Sequence, residues 1–367
     1  MSYPNRNRAY QKLSVINKIA VLRANALGDF LFTLPALDAL RNAYSAAEIV
    51  LLAQSWHAEF LAQRPSPINR VIVVPPYGGV SAEPGSQEDP LVLKHFFEQM
   101  VQERFDLAIQ LHGGGGHSNL FVQRLGARLT VGLKAPEALP LDRWVPYVYF
   151  QPEIMRYLEV VALVGATPTT IEPHIVVTEE DLSEVYAVVS DDPRPLIALH
   201  PGTSDIRRRW SPQKFARVGD ALATQGARIV ITGVKAEQAT TAAVVASMRQ
   251  KAGDVTGQLS LNGLVGLLSR CQLVISNDTG PLHLAYAIGT SSIGLYWAYN
   301  AWTAGEPMRT RHRPLISWRM NCPVCGRDNA SKRCEHQVSF IDDIEVEEVI
   351  ATAQEMLRNY VLKAQER

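Results

Sequence analysis

The sequence predicts an α/β protein of two domains, each built around a parallel β-sheet. Short aliphatic runs alternate along the chain with amphipathic stretches of helical length. Near-continuous apolar strands separated by helices are typical of parallel sheets that are covered on both faces. The runs fall into two series, and 367 residues are enough for two domains of ordinary size.

The predicted strands are the aliphatic runs, and the predicted helices are segments between them. The first series of strands comprises Ile19–Arg23, Glu48–Ala53, Arg70–Val74 and Asp106–Leu111, and the second comprises Leu196–His200, Ala227–Thr232, Leu273–Ser276 and Ser291–Leu295. The predicted helices include Phe30–Tyr44, Leu91–Arg104, Pro212–Thr224 and Ala236–Lys251.

A stretch rich in Pro, Thr and Gly, residues 165–173, is the predicted break between the domains. We therefore expect an N-terminal domain over residues 1–170 and a C-terminal domain over residues 171–345. The remaining segment, residues 346–367, is predicted to form a final helix that packs back on the N-terminal domain.

Composition and charge exclude several classes of protein. The chain carries 36 basic and 36 acidic residues, so we expect no nucleic-acid partner bound by bulk attraction to phosphates. The longest stretch without Lys or Arg, residues 271–308, contains Asp278 and Glu306 and is no membrane span. The N-terminal residues are polar, and three of the four cysteines crowd into residues 322–334, unlike a secreted disulfide framework. We predict a soluble, cytoplasmic protein.

The first predicted strand leads into a turn that contains Gly28 and ends at Asp29, where a helix begins. In open α/β sheets ligands bind beyond the carboxyl ends of the strands, so this turn is a candidate site. The position of Asp29 leaves two interpretations open. It is a helix N-cap, which accepts backbone N–H bonds, or a catalytic carboxylate.

The fourth predicted strand ends in His112, four glycines at 113–116, and His117. Glycines expose backbone N–H groups and let a ligand approach closely, but the same run fits a flexible turn. The two histidines offer hydrogen-bond donors, although an isolated histidine is more often structural.

The first strand of the second domain leads into a turn with Thr203, Ser204 and three arginines at 207–209, before a helix that Ser211 would cap. Hydroxyls, arginines and a helix N-terminus indicate an anion site, and we favour phosphate binding over a solvated run of charge. Glu237, after the next strand, would accept hydrogen bonds from a ribose or act as a partner of the helix dipole.

The segment Ser276–Ala285 joins another strand to a new helix. The backbone N–H groups of Thr279, Gly280 and Leu282 would point beyond the strand end, which indicates a diphosphate site. A carboxylate repels a diphosphate, so Asp278 would bind sugar hydroxyls instead or be restrained by the helix N-terminus.

Together these loops resemble the family-nine glycosyltransferases, the ADP-heptose:lipopolysaccharide heptosyltransferases. The resemblance runs from residue 18 to residue 355, nearly the whole chain. The matching segments are Gly28-Asp29 with Pro35, the turn His200-Pro201-Gly202 ahead of Trp210, and the run Asn277-Asp278-Thr279-Gly280-Pro281-Leu282-His283-Leu284-Ala285.

This resemblance implies a GT-B fold, in which two Rossmann-like domains with parallel sheets face each other across a cleft. It implies the inverting transfer of a heptose or related sugar from a nucleotide-sugar donor of the ADP-heptose kind. The acceptor would be a lipopolysaccharide-type, lipid-linked or other saccharide.

The resemblance also implies roles for individual residues. The catalytic carboxylate falls on Asp29. The donor-binding residues fall on Thr203, Ser204, Arg208, Glu237, Asp278, Thr279, Gly280, Pro281 and His283. Arg208 departs from the family, which carries Lys there, and Glu237 is a looser match. On the acceptor side we place Arg23, His112, Gly113 and His117.

The expected mechanism starts when Asp29 takes the proton of an acceptor hydroxyl that attacks the anomeric carbon. The charge of the leaving diphosphate would be met by the amides of residues 280–282 and by Thr203, Ser204 and Arg208. Since no Asp-x-Asp pair follows a strand, we expect catalysis to require no cofactor.

Three cysteines and a histidine crowd together late in the chain: Cys322, Cys325, Cys334 and His336. The set fits a structural Cys₃His zinc site, and the alternative is a reduced, cysteine-rich loop. A redox pair is disfavoured, because the CxxC does not open the first helix of a thioredoxin-like unit.

A basic run with one aromatic residue precedes the cysteines: Arg309, Arg311, Arg313, Trp318 and Arg319. It would contact acceptor phosphates or anionic lipid heads, or be a solvated loop. Contact with lipid heads would make the enzyme peripheral at the inner face of the cytoplasmic membrane.

Other functions fit parts of this pattern. One is a non-hydrolysing sugar-nucleotide epimerase of the same architecture, and another is a non-catalytic protein that binds sugar nucleotides. A dinucleotide-dependent oxidoreductase is disfavoured, because no G-x-G-x-x-G follows the first strand.

Overall fold

The structure, a computed structural model, describes residues 12–307, 309–329 and 333–365, with side chains as far as residue 358. The chain divides into two compact units, Met1–His174 and Ile175–Arg367. The division lies just beyond the stretch rich in Pro, Thr and Gly, a few residues after the predicted boundary at 170.

The first unit is built on a six-stranded parallel sheet in the order β3-β2-β1-β4-β5-β6. Its strands are β1 (Lys18–Leu22), β2 (Glu48–Ala53), β3 (Arg70–Val73), β4 (Leu107–Gln110), β5 (Leu129–Lys134) and β6 (Arg143–Pro146). Its helices are α1 (Leu27–Leu31), α2 (Leu34–Ala43), α3 (Ser55–Leu61), α4 (Pro90–Gln102), α5 (Ser118–Gln123) and α6 (Glu153–Ala162). Ile19 to Leu22 of the central β1 are wholly buried, as expected for a strand covered on both faces.

The second unit repeats this plan with a six-stranded parallel sheet in the order β12-β11-β10-β7-β8-β9. Its strands are β7 (Leu196–His200), β8 (Arg228–Ile231), β9 (Ala252–Asp254), β10 (Leu273–Asn277), β11 (Ser292–Trp297) and β12 (His312–Ser317). Its helices are α7 (Glu179–Val188), α8 (Pro212–Thr224), α9 (Gln238–Ser247), α10 (Leu261–Arg270), α11 (Gly280–Ala287), α12 (Ala298–Ala304) and α13 (Val346–Gln365). Short 3₁₀ turns lie at Ile206–Arg208 and Lys235–Glu237.

Both sheets wind from a central strand to one edge and then return to the other side of that strand. The winding reverses between β1 and β4 in the first unit, and between β7 and β10 in the second. Such a reversal leaves a crevice at the carboxyl ends of the two strands, where sheets of this kind bind ligands. Each unit therefore has one such place.

One predicted helix, Phe30–Tyr44, is in fact two helices, α1 and α2. Pro35 has no backbone N–H, and its ring excludes the carbonyl that would lie four residues earlier in a continuous helix. Thr33 Oγ1 donates to the Phe30 backbone oxygen at 2.6 Å and stabilises the break. The break leaves α1 as a short helix that carries Asp29.

The last helix, α13, contributes to the core of the second unit. The buried residues Val346, Val349, Ala353 and Met356 of α13 belong to the core of the second unit. They recur every three or four residues, so they form one apolar stripe, and the helix packs on α8. The described part of this helix thus belongs to the second unit, and its predicted packing on the N-terminal domain stays a prediction.

Among the helices of the described ranges, none has both the length and the apolar character that crossing a membrane requires.

Candidate active site

The turn after β1 is held by a buried cation, Arg23. Its Nη2 lies 3.0 Å from Asp29 Oδ1, and its Nε donates to the Asp29 backbone oxygen at 3.0 Å. Its Nη1 donates to the Leu111 backbone oxygen, just after β4, at 2.6 Å. The Arg23 side chain is 2% exposed, whereas that of Asp29 is 37% exposed. Arg23 thus ties the ends of β1 and β4 together and orients a carboxylate that solvent can reach.

This arrangement corrects two predictions. Ala26 occupies the N-cap position of α1, and Asp29 lies inside the first turn, so the N-cap interpretation of Asp29 is wrong. The group that orients its carboxylate is a guanidinium. Arg23 does not suit the predicted contact with an acceptor, because its guanidinium is buried and bonded to Asp29 and Leu111.

Arg23 keeps its charge although it is buried. Burial opposes that charge, but the electrostatic influence of Tyr157, Asp29 and Glu153 raises the pKa of Arg23 above its ordinary value. The centre of the Tyr157 ring lies 5.0 Å from Arg23 Cζ, and the Tyr157 hydroxyl donates to Glu153. Sequence reasoning missed these α6 residues, because α6 lies far along the chain and no local pattern links it to β1.

The glycine loop after β4 is fixed by a buried amide, Gln110. Its Nε2 lies 2.5 Å from the backbone oxygen of His112, 3.0 Å from that of Gly113 and 2.6 Å from Ser118 Oγ. Its Oε1 accepts the backbone N–H of Leu133 in β5 at 3.0 Å. The loop is therefore a defined turn, held from below by one side chain that sequence reasoning overlooked.

His112 and His117 have different positions in this loop. His112 Nδ1 accepts the Ala24 backbone N–H at 3.4 Å. Burial lowers the pKa of His112 to about 3, although a hydrogen bond with the Gly79 backbone acts to raise it. His112 is thus a neutral link between backbone segments, and its assignment to acceptor binding stays a prediction. Gly113 and His117 are exposed and keep that prediction.

In the second unit, the turn after β7 carries a buried hydroxyl, Thr203. The residue is 2% exposed, and its Oγ1 has no hydrogen-bond partner in the part of the chain that the structure describes. Arg209 Nη2 donates to the Thr203 backbone oxygen at 2.9 Å, and the neighbouring Ser204 is exposed. A buried polar group without a partner costs about 1–3 kcal/mol, so an anion that accepts this hydroxyl would be stabilised here.

A chain of alternating charges lies next to this turn: Arg208, Asp278, His283 and Glu306. Arg208 Nη1 lies 3.0 Å from Asp278 Oδ2 and donates to the Asp278 backbone oxygen at 3.2 Å. His283 Nε2 lies 3.2 Å from Asp278 Oδ1, and His283 Nδ1 lies 2.7 Å from Glu306 Oε1. Arg208 is 23% exposed, whereas the other three residues are buried.

Each ring nitrogen of His283 faces a carboxylate oxygen, an arrangement that favours a proton on both nitrogens. Burial opposes this charge, but the bonds to Asp278 and Glu306 raise the pKa of His283 to about 9. Burial also opposes ionisation of Asp278, yet His283 and Arg208 lower its pKa below the ordinary value. Burial raises the pKa of Glu306.

This network corrects the predicted roles of Asp278 and His283. Their side chains are buried and bonded inside the protein, so they do not face a donor sugar. They position Arg208, whose exposed part is left for a ligand. Glu306 was not predicted, because it lies 23 residues beyond His283 in a segment without a recognisable pattern.

Helix α11 begins at the carboxyl end of β10, with Thr279 extended at its N-cap position (φ −161°, ψ 170°). The Leu282 N–H donates to the Thr279 backbone oxygen at 3.0 Å, so it is not available to a phosphate as predicted. Pro281 has no N–H to offer. The amides of Thr279 and Gly280 remain the candidates at this helix N-terminus.

Glu237 lies against the turn after β7. A Cβ placed on Gly202 would come 2.1 Å from Glu237 Oε1, so any larger residue there would require the Glu237 carboxylate to move. Glu237 Oε2 accepts the Val234 backbone N–H at 3.0 Å and lies 3.9 Å from His200 Nε2. Burial lowers the pKa of His200, which is therefore neutral.

One further residue of the matching run joins the two strand ends of the second unit. Asn277 Oδ1 accepts the Trp210 backbone N–H at 3.1 Å, and its Nδ2 donates to the Pro201 backbone oxygen at 2.8 Å. The predicted residues thus form two groups. Those around Asp29 lie at the β1/β4 crevice of the first unit, and those around Thr203 and Arg208 lie at the β7/β10 crevice of the second.

The cysteine group lies outside both crevices, in the segment after β12. The ligand atoms of Cys322, Cys325, Cys334 and His336 lie within 4.8 Å of one another, so these four side chains could hold a metal ion.

Comparison with known proteins gives matches over most of the chain. The model of the family described as Glycosyltransferase family 9 (heptosyltransferase) matches residues 93–336. Lipooligosaccharide heptosyltransferase 2 of Haemophilus ducreyi is 21% identical over 287 residues, which are 74% of this chain and 80% of that protein.

Solved structures show the same fold. The family 9 glycosyltransferase of Veillonella parvula has a TM-score of 0.78 and 23% identity, and the match covers 95% of this chain and 99% of that one. The ADP-heptose lipopolysaccharide heptosyltransferase II of E. coli has a TM-score of 0.72 and 17% identity, with coverage of 94% and 99%. The chain shares the fold of these glycosyltransferases, which confirms the predicted GT-B class with its two Rossmann-like units.

Proposed function

Because the chain belongs to glycosyltransferase family 9, the heptosyltransferase family, we propose that it transfers a heptose from an ADP-heptose-like donor to a lipopolysaccharide-type saccharide. The transfer inverts the configuration at the anomeric carbon of the sugar. The observation that carries this proposal is a group of hydrogen-bond donors at the β7/β10 crevice that can bind an anion. They are the hydroxyl of Thr203, which has no partner in the described part of the chain, the guanidinium of Arg208 and the N-terminus of α11.

The donor diphosphate binds at this crevice of the second unit. The Thr203 hydroxyl and the Arg208 guanidinium donate to phosphate oxygens, and the exposed Ser204 adds a second hydroxyl. The amides at the start of α11 give further donors beside a helix dipole that favours negative charge. These groups are fixed before the reaction, so they stabilise the charge that develops on the leaving diphosphate.

Glu237 binds the ribose of the donor. Its Oε2 accepts the backbone N–H of Val234, and its Oε1 lies against Gly202 in the turn after β7, which we call the phosphate turn. A carboxylate in this position accepts hydrogen bonds from vicinal hydroxyls, as acidic residues do in other nucleotide-binding sheets.

Asp29 is the general base. The acceptor oxygen attacks the anomeric carbon, its proton passes to Asp29, and the bond to the diphosphate oxygen breaks with its electron pair on the leaving nucleotide. The ion pair with Arg23 fixes the orientation of the carboxylate while part of it stays exposed. Gly113 and His117, at the mouth of the same crevice, contact the acceptor saccharide.

The reaction needs no metal cofactor. Mg²⁺ binds proteins through carboxylates, but the buried carboxylate beside Arg208, that of Asp278, already has Arg208 and His283 as partners. Arg208 supplies the positive charge that a metal would otherwise bring. Turnover should therefore be the same with and without added Mg²⁺ or Mn²⁺.

The enzyme works in the cytoplasm and touches the inner face of the cytoplasmic membrane, where a lipid-linked acceptor would be presented. Trp302 and Trp318 support this, because their side chains are 43% and 62% exposed and their rings lie 6.3 Å apart. Exposed tryptophans are favoured at a membrane surface. Co-sedimentation with anionic vesicles, compared between the wild type and Trp318→Ala, tests this contact.

The function is tested by incubating the protein with ADP-heptose and a lipopolysaccharide core acceptor. We expect ADP release and an acceptor heavier by one heptose, both read by mass spectrometry, and only when the acceptor is present. Conversion of the donor without acceptor would favour the epimerase. Donor binding without any turnover across a panel of acceptors would favour a non-catalytic binding protein.

A further inference from the structure

We propose that Cys322, Cys325, Cys334 and His336 bind one structural zinc ion. The three sulfur atoms and one imidazole nitrogen lie within 4.8 Å of one another, which places all four around a common point. Three thiolates and one imidazole form a complete tetrahedral set for Zn²⁺, with no position left open for water. Such a closed site stabilises a fold and takes no part in chemistry.

The first two ligands are presented by a tight hairpin. Gly326 N–H donates to the Cys322 backbone oxygen at 2.9 Å, and Cys322 N–H donates to the Arg327 backbone oxygen at 2.9 Å. Gly326 has a φ of +72°, a conformation that favours glycine. The turn brings the two side chains of the CxxC to one side, where both can reach the same ion.

The surroundings of the other two ligands, Cys334 and His336, also fit a bound metal ion. Asn329, itself buried, accepts the Cys334 backbone N–H at 3.0 Å through Oδ1, and its Nδ2 lies 3.5 Å from Cys334 Sγ. An N–H directed at sulfur is the kind of outer contact that stabilises a metal-bound thiolate. His336 Nδ1 is buried and has no hydrogen-bond partner within the described ranges. Ligation through this nitrogen would give it a partner.

A disulfide explains less of this geometry. It would use two of the sulfur atoms and leave the third thiol and the imidazole beside them without a role. All the cysteines are free thiols in the structure. A metal ion uses all four groups at once, and Cys322 and Cys334 are buried at the edge of the second-unit core, where a bound ion is shielded from solvent.

The zinc-bound segment supports the phosphate turn. Phe340 N–H donates to the Arg207 backbone oxygen at 2.7 Å, and Arg333 Nη2 lies 4.0 Å from Asp205 Oδ1. Asp205 in turn holds Arg207 through a two-pronged ion pair. The ion would thus stiffen the support beneath Arg208. This consequence for donor binding rests on the proposed function, whereas the zinc site does not.

The first test is the metal content of the intact protein, measured by plasma mass spectrometry after purification without chelator. We expect one zinc per chain, and we expect Cys325→Ser to lose it. The matched control is Cys271→Ala, which removes the one cysteine outside the group. Absence of stoichiometric zinc, or one iron per chain in its place, would overturn the proposal.

The second test needs no variant, so a failure to fold cannot obscure it. Replacing the ion by Co²⁺ in the wild-type protein should give the intense visible bands and the sulfur-to-metal charge transfer of a tetrahedral thiolate site. A weak spectrum typical of six oxygen ligands would contradict the proposal. Asn329→Ala should keep the spectrum and weaken zinc affinity by about 10- to 100-fold.

The consequence for the donor turn has its own readout. Removing the zinc with a chelator should lower the melting temperature and weaken ADP binding, and adding Zn²⁺ back should restore both. If zinc is stoichiometric but ADP does not bind, the proposed function fails and the metal site stands. If ADP binds and no metal is found, the reverse holds.

Discussion

Asp29 combines an exposed carboxylate with a buried partner, and this combination makes its role testable. We expect Asp29→Asn to lower kcat by about 10²- to 10⁴-fold, the usual effect of removing a general base. Affinity for ADP should change little, because the donor groups belong to the second unit. Steady-state kinetics and calorimetric titration with ADP measure the two effects. A variant that loses ADP binding but keeps its turnover would reverse the assignment.

Replacing Arg208 should weaken ADP binding more than it lowers kcat, the opposite of the effect expected at Asp29. Its replacement by Ala removes a charge-assisted donor, and such bonds contribute about 1.5–3 kcal/mol, so we expect ADP affinity to fall by about 10- to 100-fold. Arg208→Lys is the matched control. It keeps the charge and loses the planar fork, and the resembled family carries Lys there, so it should retain most of the affinity. An Ala variant that binds ADP as tightly as the wild type would contradict the phosphate role.

Residue roles were predicted from the sequence only where a motif and a strand end coincide. Asp29, Thr203 and Arg208 were found in this way, and the structure places them at the two crevices. The supporting contacts were not predicted: Arg23 was assigned to the acceptor instead of Asp29, and Gln110 and Glu306 were not named, because these contacts form only in the folded chain. Asp278 shows the limit of a motif. The run identified the right loop, but burial turned a predicted ligand contact into a support for Arg208.

At the scale of elements, the junction of the β7 turn with the 3₁₀ turn Lys235–Glu237 depends on one missing side chain. Gly202→Ala would place a Cβ 2.1 Å from Glu237 Oε1, so the carboxylate has to move. We expect a loss of about 1–3 kcal/mol in the free energy of unfolding, as for other overpacked sites, together with weaker ADP binding.

A double-mutant cycle separates this clash from a general loss of structure. Adding Glu237→Ala to Gly202→Ala removes the atoms that the new Cβ meets, so the double variant should be more stable than the single Gly202→Ala variant. Unfolding in urea measures all four proteins. Strict additivity of the two changes would mean that the close approach has no energetic consequence.

Elements were predictable where burial is complete on both faces. The central strands β1, β2, β7 and β10 are continuous apolar runs and were found with ends within a residue or so. Of the four edge strands, β3 is an aliphatic run and was predicted, whereas β6, β9 and β12 were missed. An edge strand has one neighbour and tolerates polar residues and proline, such as Pro314. Strand β5 was missed for a different reason. It contains Gly132, where a Cβ would lie 2.6 Å from that of Gln110.

At the scale of the whole molecule, stability should depend on pH through His283. Burial works against its charge, but Asp278 and Glu306 raise its pKa from 6.5 to about 9, so the folded state binds this proton more tightly than the unfolded state. The resulting stabilisation is fully present below pH 6.5 and is lost as the pH rises through about 9. The wild type should therefore become less stable across this window.

The comparison protein is His283→Gln, which has no titrating group at this position. Between pH 6.5 and 9 the free energy of unfolding of the wild type should fall more steeply than that of the variant. Urea unfolding at a series of pH values measures both slopes. Parallel slopes would show that the imidazole is not charged in the folded protein.

The way in which Gln110 holds the glycine loop has a consequence for engineering. The Gln110 amide donates to backbone oxygens, which every residue type has. The backbone conformation of the loop therefore does not depend on most of its side chains. Gly116 has an ordinary backbone conformation and open space where a Cβ would stand, and His117 is exposed. A library that varies these two positions would therefore sample new saccharide preferences on an unchanged scaffold.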